Sequence, residues 1–134
     1  MDSLQILKEH NIKCTKYRVN ILELLIKEEY RFISIDEIQD RVSSNFSTAY
    51  RALELFEENE MIYKTKINEK MYYTYRCSNK EYHHHLICTE CGLKVSLDFC
   101  PFEDLEKKCE ILGFGSFHHS RDLFGICKKC KNGS

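Results

Sequence analysis

The sequence predicts an α+β protein, with an N-terminal winged helix-turn-helix domain over residues 1–76 and a smaller C-terminal α/β domain over residues 77–134. Two observations lead to this prediction. Four helical patterns and a β-prone hairpin fill the first half, whereas strand-like segments, paired cysteines and one helical pattern fill the second. With 134 residues, of which 43% are hydrophobic, the chain is long enough for two small packed domains.

Each of the four N-terminal helices begins at a recognisable signal. The first is predicted over residues 3–11, and the second opens with Thr15 as N-cap. The third opens at Ser34, and Glu37 three residues later completes a capping box. Ser47 is the predicted N-cap of the fourth helix. Helical spacing predicts that this fourth helix buries Ala49, Ala52, Leu53 and Phe56.

The other side of the fourth helix carries Thr48, Tyr50 and Arg51. An arginine near a helix N-terminus can pair with guanine or phosphate, and a tyrosine ring can contact thymine methyl groups. A solvated helix face without a partner explains the same pattern, and spacing alone does not separate the two interpretations. The formal net charge of −1 is neutral on this point, so any affinity for DNA must come from locally placed cations.

A hairpin is predicted directly after the fourth helix. Residues 61–67 and 71–75 are β-prone, and the polar segment Asn68-Glu69-Lys70 separates them. Helices followed by a hairpin are typical of a winged helix-turn-helix, so the hairpin is interpreted as the wing.

Two CxxC pairs, Cys88/Cys91 and Cys127/Cys130, indicate a metal site in the second half. No apolar run approaches the roughly 18 residues of a membrane span and no secretion signal is recognisable, so we expect a cytoplasmic protein without a membrane partner. In that reducing compartment, clustered cysteines favour metal binding over disulfides. Four thiolates, each about 2.3 Å from one tetrahedral ion, complete a structural zinc site. Redox-active CxxC pairs are the alternative.

Three consecutive histidines lie in a predicted strand over residues 82–88. Because successive strand side chains point to opposite faces, His83 and His85 share one face and His84 takes the other. Cys77 lies shortly upstream, and one thiolate with two imidazoles suits zinc better than it suits harder ions. The sequence therefore predicts a second metal site at Cys77, His83 and His85.

The remainder of the second domain is predicted as a helix over residues 101–112 and a strand over residues 115–126. Cys109, inside this helix, is expected to be a small buried hydrophobic residue. An α/β unit of this size gains stability by pairing with another copy, so a homodimer is expected.

Three segments resemble the ferric uptake regulator (Fur) family, and further likenesses follow in the same order over nearly the whole chain. They are Lys13-Cys14-Thr15-Lys16-Tyr17-Arg18, Ser47-Thr48-Ala49-Tyr50-Arg51-Ala52-Leu53 and His83-His84-His85-Leu86-Ile87-Cys88-Thr89-Glu90-Cys91-Gly92. The resemblance implies a winged-helix DNA-binding domain followed by an α/β zinc-containing dimerisation domain. It also implies a homodimeric repressor of metal-uptake or stress genes, which binds a palindromic double-stranded DNA operator when its regulatory metal is bound.

Positions that match the family's motifs imply roles for individual residues. The structural zinc ligands are matched by Cys88, Cys91, Cys127 and Cys130. Two regulatory ligands are matched by His83 and His85, and three ligands of a possible additional metal site by His84, Glu103 and His119. DNA-contacting positions are matched by Lys13, Tyr50 and Arg51, with Thr48 on the same helix.

Three positions bear on the identity of the regulatory metal. Phe32 stands where iron- and peroxide-sensing relatives place a histidine, and Ser96 stands where they place a carboxylate. Cys77 stands where zinc-sensing relatives, the Zur group, place a cysteine ligand. The resemblance therefore favours zinc as the second metal, with iron, manganese or peroxide sensing as the alternative within the family.

The resemblance implies a regulator with no enzymatic activity and no small-molecule substrate. A zinc enzyme or a thiol oxidoreductase is compatible with the cysteine spacing, and so is a zinc module that binds another protein. The enzyme alternatives leave the resemblance of the fourth helix to a recognition helix unexplained, and the protein-binding module predicts no sequence-specific DNA binding at any metal level.

Overall fold

The protein divides into two compact units, Met1–Asn79 and Lys80–Ser134, and each contains its own three-stranded sheet. The computed structural model describes residues 2–76, 84–97, 102–117 and 122–133. Three predicted metal ligands, Cys77, His83 and His119, lie outside the described residues. Within the described part of the chain, no helix combines the length and the apolar character needed to cross a membrane.

The described residues of the N-terminal unit, 2–76, form four helices and one antiparallel sheet. In chain order its elements are α1 (Ser3–Glu9), α2 (Lys16–Lys27), β1 (Ile33–Ser34), α3 (Ile35–Arg41), α4 (Phe46–Glu58), β2 (Ile62–Ile67) and β3 (Lys70–Tyr75). The strands are ordered β1-β3-β2, so the hairpin β2–β3 forms the wing beside the helices.

Side-chain caps set where these helices begin. Thr15 and Ser34 each accept a hydrogen bond from the backbone N–H three residues later, as predicted. The prediction that Ser47 is the N-cap of the fourth helix is wrong. The side-chain oxygen of Asn45 accepts a hydrogen bond from the N–H of Thr48 at 2.8 Å, so α4 begins at Phe46 and Ser47 lies within its first turn.

Left-handed backbone positions end α1 and form the turn of the wing. Asn11 has a φ of 59°, and the helix predicted to run to this residue ends at Glu9. Asn68 and Glu69 have φ values of 51° and 67°, which suit a two-residue hairpin turn. The segment between the strands is therefore two residues long rather than three, and Lys70 pairs with Ile67.

The apolar side of α4 forms part of the core. As predicted, it buries Ala49, Ala52, Leu53 and Phe56. Strand β1 is only two residues long and has no readable alternation, so the sequence did not predict it. It pairs with β3, and the hydroxyl of Thr74 donates a hydrogen bond to the carbonyl of Arg31 at 2.9 Å. Phe32, between Arg31 and this strand, is 1% exposed.

The C-terminal unit combines a mixed sheet with two short helices. Its described elements are β4 (His84–Cys88), β5 (Lys94–Leu97), α5 (Glu103–Ile111), β6 (Asp122–Gly125) and α6 (Lys128–Lys131). The strands are ordered β5-β4-β6, with β4 and β6 parallel. Parallel strands need a crossover connection, and α5 lies within it. The strand predicted over residues 115–126 is shorter in the structure, because residues 115–117 are irregular.

Apolar side chains of the C-terminal unit are more exposed than those of the N-terminal unit. None of the residues of α5 is buried, and Cys109 is only half-buried, so the prediction that it is a core residue is wrong for the single chain. The exposed apolar side chains include Leu86, Val95, Leu105, Ile111, Leu112, Phe114, Phe124 and Ile126. A single copy of this unit therefore leaves a large apolar area in contact with solvent.

Candidate metal centre and nucleic-acid interface

Four cysteines converge in the C-terminal unit: Cys88, Cys91, Cys127 and Cys130. All four sulfur atoms lie within 4.8 Å of one another. The sulfurs of Cys91 and Cys127 are 3.8 Å apart. Two sulfurs of a tetrahedral ion with metal–sulfur bonds of about 2.3 Å are separated by about 3.8 Å, so the cluster already has suitable spacing for zinc. It is the one such group of three or more candidate ligands within the described residues.

Two local structures bring the CxxC pairs together. After β4 the chain turns back at Gly92, whose φ of 80° favours glycine, and the N–H of Gly92 donates to the carbonyl of Cys88 at 2.9 Å. The second pair lies at the start of α6, where Cys127 is the N-cap. The N–H of Thr89 donates to the carbonyl of Gly125 at 2.9 Å, which holds the two local structures side by side.

The cluster distributes its negative charge unequally. Burial raises the pKa of the Cys88 thiol, but backbone hydrogen bonds from Cys127, Cys91 and Glu90 outweigh it and bring this pKa to about 6. Hydrogen bonding to Cys127 raises the pKa of Cys130 to about 12. Without a cation, one thiolate at Cys88 is therefore favoured at neutral pH and further ionisation is opposed. A divalent cation removes that opposition, because metal-bound thiols are deprotonated.

The two described histidines of β4 occupy different surroundings. His84 is buried, and its ring packs edge-on against Phe102 with the ring centroids 5.9 Å apart. His85 is 2% exposed, and its Nδ1 lies 3.6 Å from a carboxylate oxygen of Asp122, its register partner on β6. Glu103 directly follows Phe102, and its side chain is 68% exposed.

The DNA-contacting residues expected from the sequence all belong to the N-terminal unit. Tyr50 is 38% exposed, and Arg51 is exposed beside it on α4. Thr48 is half-buried in the first turn of that helix. Lys13 is exposed just before α2, and its carbonyl accepts a hydrogen bond from Arg18 at 3.0 Å. Tyr50, Arg51 and Lys13 are therefore exposed residues that a ligand could contact.

A buried carboxylate supports the turn between α2 and α3. Glu28, only 8% exposed, accepts hydrogen bonds from Tyr30, Arg31 and Arg41, those from Tyr30 and Arg31 measuring 3.1 and 2.9 Å. Arg31 and Arg41 also bond to Glu37 on α3. The network ties the end of α2 to α3, the helix that precedes α4.

Residues 9–123 match the ferric uptake regulator family. The chain belongs to this family. As a member, it is a metal-dependent transcriptional regulator, and within the described part of the chain the four-cysteine cluster is a group that could hold a metal ion.

Individual relatives cover nearly all of the chain. A ferric uptake regulation protein of Staphylococcus epidermidis is 31% identical, over 97% of this chain and 94% of that protein. The solved ferric uptake regulator of Vibrio cholerae is 26% identical, with 94% of this chain and 100% of that chain covered and a TM-score of 0.63. A zinc-bound manganese uptake regulator is 25% identical, with 94% and 99% covered and a TM-score of 0.67.

These Fur-family comparisons confirm the predicted α+β fold class. They do not select one metal, because regulators named for iron and for manganese share the fold of this chain. Two residues beside the expected sites were not predicted. Phe46 stacks on Tyr50, a pairing that the i, i+4 spacing could have signalled. Asp122 lies beside His85 through the parallel pairing of β4 and β6, which no local pattern reveals.

Proposed function

We propose that this chain is a zinc-responsive transcriptional repressor of the Zur type, which binds a palindromic DNA operator as a homodimer and controls metal-uptake genes. One observation carries the proposal: a winged-helix unit with Tyr50 and Arg51 exposed on α4 belongs to the same chain as a preassembled four-thiol cluster. In winged-helix regulators, side chains near the start of the recognition helix contact base edges in the major groove. Lys13, exposed before α2, and Thr48, in the first turn of α4, are proposed to contact the phosphate backbone.

Structural zinc is proposed for the cluster of Cys88, Cys91, Cys127 and Cys130. The donor set consists of four thiols, and soft thiolate donors with tetrahedral spacing suit zinc better than manganese or magnesium. Lysines at positions 128, 129 and 131 surround the second CxxC pair, and their positive charges offset part of the negative charge of four thiolates. This site would join β4, β6 and α6 into one stable body.

A regulatory zinc site is proposed at Cys77, His83 and His85. Metal-bound histidines commonly have a carboxylate beside their second ring nitrogen, and the carboxylate of Asp122 near His85 supports this role. The buried Phe32 supports zinc over iron, since a phenyl ring supplies no ligand where iron-sensing relatives have a histidine. An additional site at His84, Glu103 and His119 is supported only by the position of Glu103 next to the ring that packs on His84.

The regulatory site suggests how metal loading controls DNA binding. Along the sequence, Cys77 follows the wing strand β3 and His83 precedes β4. Coordination by Cys77, His83 and His85 would restrain this stretch of the sequence, and we propose that metal loading thereby favours the DNA-competent state of the dimer. A preference of about 1–3 kcal/mol for the DNA-competent arrangement is sufficient for a useful response.

The homodimer is proposed to form through the C-terminal unit. Its exposed apolar side chains include Ile111, 85% exposed, Leu112, 75% exposed, and Phe114, 69% exposed. Apolar side chains this accessible are stabilised when a second copy covers them. A two-fold dimer also explains why a palindromic operator would be the preferred target, because protein symmetry is mirrored in its binding site.

The test is DNA binding at buffered free zinc, with iron(II) and manganese(II) titrated in parallel under anaerobic conditions. The probes are duplexes from upstream of the protein's own gene and of neighbouring metal-transporter genes, and bound metal is counted at each step. Tight binding that appears only when a second zinc per protomer is loaded is the expected result. A response to iron or manganese, with zinc confined to the four cysteines, would overturn zinc sensing. No specific DNA binding with any of the metals would overturn the whole proposal.

A further inference from the structure

Helix α4 carries a stacked aromatic pair on its exposed side. Phe46, the first residue of the helix, is 53% exposed, and Tyr50 one turn later is 38% exposed. Their ring centroids are 5.6 Å apart and their planes differ by 13°. This is the offset stacking that aromatic pairs prefer. The pair lies outside the apolar side of α4, so burial in the core does not explain it.

Glu54 lies on the same side of α4 as the aromatic pair. It lies one turn beyond Tyr50, so Phe46, Tyr50 and Glu54 form one i, i+4, i+8 row along the helix. A hydrogen bond to Glu54 raises the pKa of the Tyr50 hydroxyl. The stacking of Phe46 on Tyr50 restrains the face of the Tyr50 ring. A side chain that is ordered before binding loses less conformational entropy when it contacts a ligand.

The aromatic rings of Phe46 and Tyr50 are suited to contact with the methyl group of thymine. In the major groove the C5-methyl of thymine is the apolar feature of the base edge, and it is contacted by apolar and aromatic side chains. The N-terminal residues of a recognition helix are those that reach base edges. Phe46 occupies the first helical position, and Arg51, which is also exposed on α4, supplies a cation for phosphate or guanine.

We propose that Phe46 is a second base-reading residue of this regulator: it contacts one thymine methyl group and positions the Tyr50 ring against a neighbouring one. The inference rests on the proposed binding of duplex DNA through α4. It adds a specificity determinant to that function, because Phe46 makes the operator preference depend on two thymines rather than one.

Replacement of single thymines by deoxyuridine tests the proposal, since it removes only the C5-methyl group. The full-length protein is loaded with zinc, and a binding duplex is enriched from a random-sequence library. Each thymine of that duplex is then replaced in turn, and Kd is measured by fluorescence anisotropy at constant salt. For the unaltered protein we expect about a fourfold weakening at two neighbouring thymines of each half-site, the effect of one methyl group.

Phe46→Ala should abolish the methyl effect at one of these thymines and reduce it at the other, whereas Phe46→Tyr, which keeps the ring, should retain both. Each ratio compares two duplexes with the same protein, so partial unfolding of a variant cancels. Unchanged ratios with Phe46→Ala would overturn the inference and leave the proposed function intact. If the unaltered protein binds DNA but no thymine-to-deoxyuridine replacement changes its Kd, the inference is also overturned and the proposed function stays intact. Failure of the metal-loaded protein to enrich any duplex would overturn both the inference about Phe46 and the proposed function.

Discussion

The backbone N–H of Cys127 donates a hydrogen bond to the sulfur of Cys88 at 3.3 Å, and so joins the two CxxC pairs before any ion is considered. The N–H of Glu90 donates to the same sulfur at 3.4 Å. Cys88 therefore receives donors from both its own turn and the distant chain segment. The four-cysteine cluster is thus partly organised by backbone hydrogen bonds, two of which converge on the sulfur of Cys88.

Cys88→Ser should abolish metal binding at the proposed four-cysteine site and destabilise the C-terminal unit. A hydroxyl is a poor ligand in a four-thiolate site, and binding energy at such sites contributes directly to folding. We expect about one fewer metal ion per chain by elemental analysis and loss of the thermal transition of this unit. Cys109→Ser is the matched control, because Cys109 lies in α5 outside the cluster and should retain the metal. Equal metal content in both variants would contradict the assignment.

The metal-free, reduced protein should show one thiolate that titrates with a midpoint near 6, assigned to Cys88. This pKa lies below the ordinary thiol value of about 8.5. The Cys88 thiolate therefore stabilises the folded state fully when the pH is above the ordinary thiol pKa. This contribution is lost as the pH falls through the lower pKa of Cys88 in the folded protein. Thiolate ultraviolet absorbance against pH measures the titration, and Cys88→Ser should abolish this step. A single midpoint near the ordinary thiol value would show that the hydrogen bonds to Cys88 are absent without metal.

Cys77→Ser should weaken metal-dependent DNA binding by about tenfold or more while the dimer and the structural metal remain. The proposed coupling between regulatory metal and DNA lies in the range of about 5–150-fold, and loss of one ligand should remove most of it. Anisotropy at buffered zinc measures DNA affinity, and sedimentation measures the dimer. Cys14→Ser is the control, since Cys14 is an exposed cysteine outside the four-cysteine cluster. Full zinc-responsive binding by Cys77→Ser would exclude Cys77 from the regulatory site.

Glu28→Gln should destabilise the N-terminal unit by about 2 kcal/mol, because the neutral amide leaves Arg31 and Arg41 without their buried anion. Urea unfolding followed by far-ultraviolet circular dichroism measures the change, since most helical residues lie in this unit. The comparison variant is Glu69→Gln. Glu69 is 93% exposed and 3.9 Å from Lys66, so its loss should cost less than about 0.5 kcal/mol. Equal effects would show that the Glu28 network is not a stabilising feature.

Arg51→Ala should weaken DNA binding without loss of stability, because Arg51 is exposed on α4. Binding is measured over a range of salt concentrations and operator sequences. A loss that is uniform across sequences, with a salt dependence reduced by about one ion, would identify a phosphate contact, whereas a loss confined to one base pair would identify a guanine contact. Lys108→Ala, a change at an exposed cation of α5, should leave affinity unchanged. Affinity that survives Arg51→Ala would exclude Arg51 from the interface.

Local sequence patterns were sufficient to predict the N-caps Thr15 and Ser34, the buried face of α4 and the wing. These features depend on hydrogen bonds and spacings within a few residues, so they can be read before the fold is known. The same local logic failed at Ser47, because Asn45 competes for the cap and an asparagine side chain caps equally well.

The sequence by itself also predicted that the four cysteines of two CxxC pairs come together, and the structure places their sulfur atoms within 4.8 Å of one another; that they form one metal site remains a prediction based on the chemistry of the thiol ligands. Only the tertiary structure decided which side chains from distant parts of the chain become neighbours. The parallel pairing of β4 and β6 sets Asp122 beside His85, and the α2–α3 turn gathers two arginines around Glu28. Such neighbours depend on register and packing between distant segments, which residue spacing along one chain does not encode.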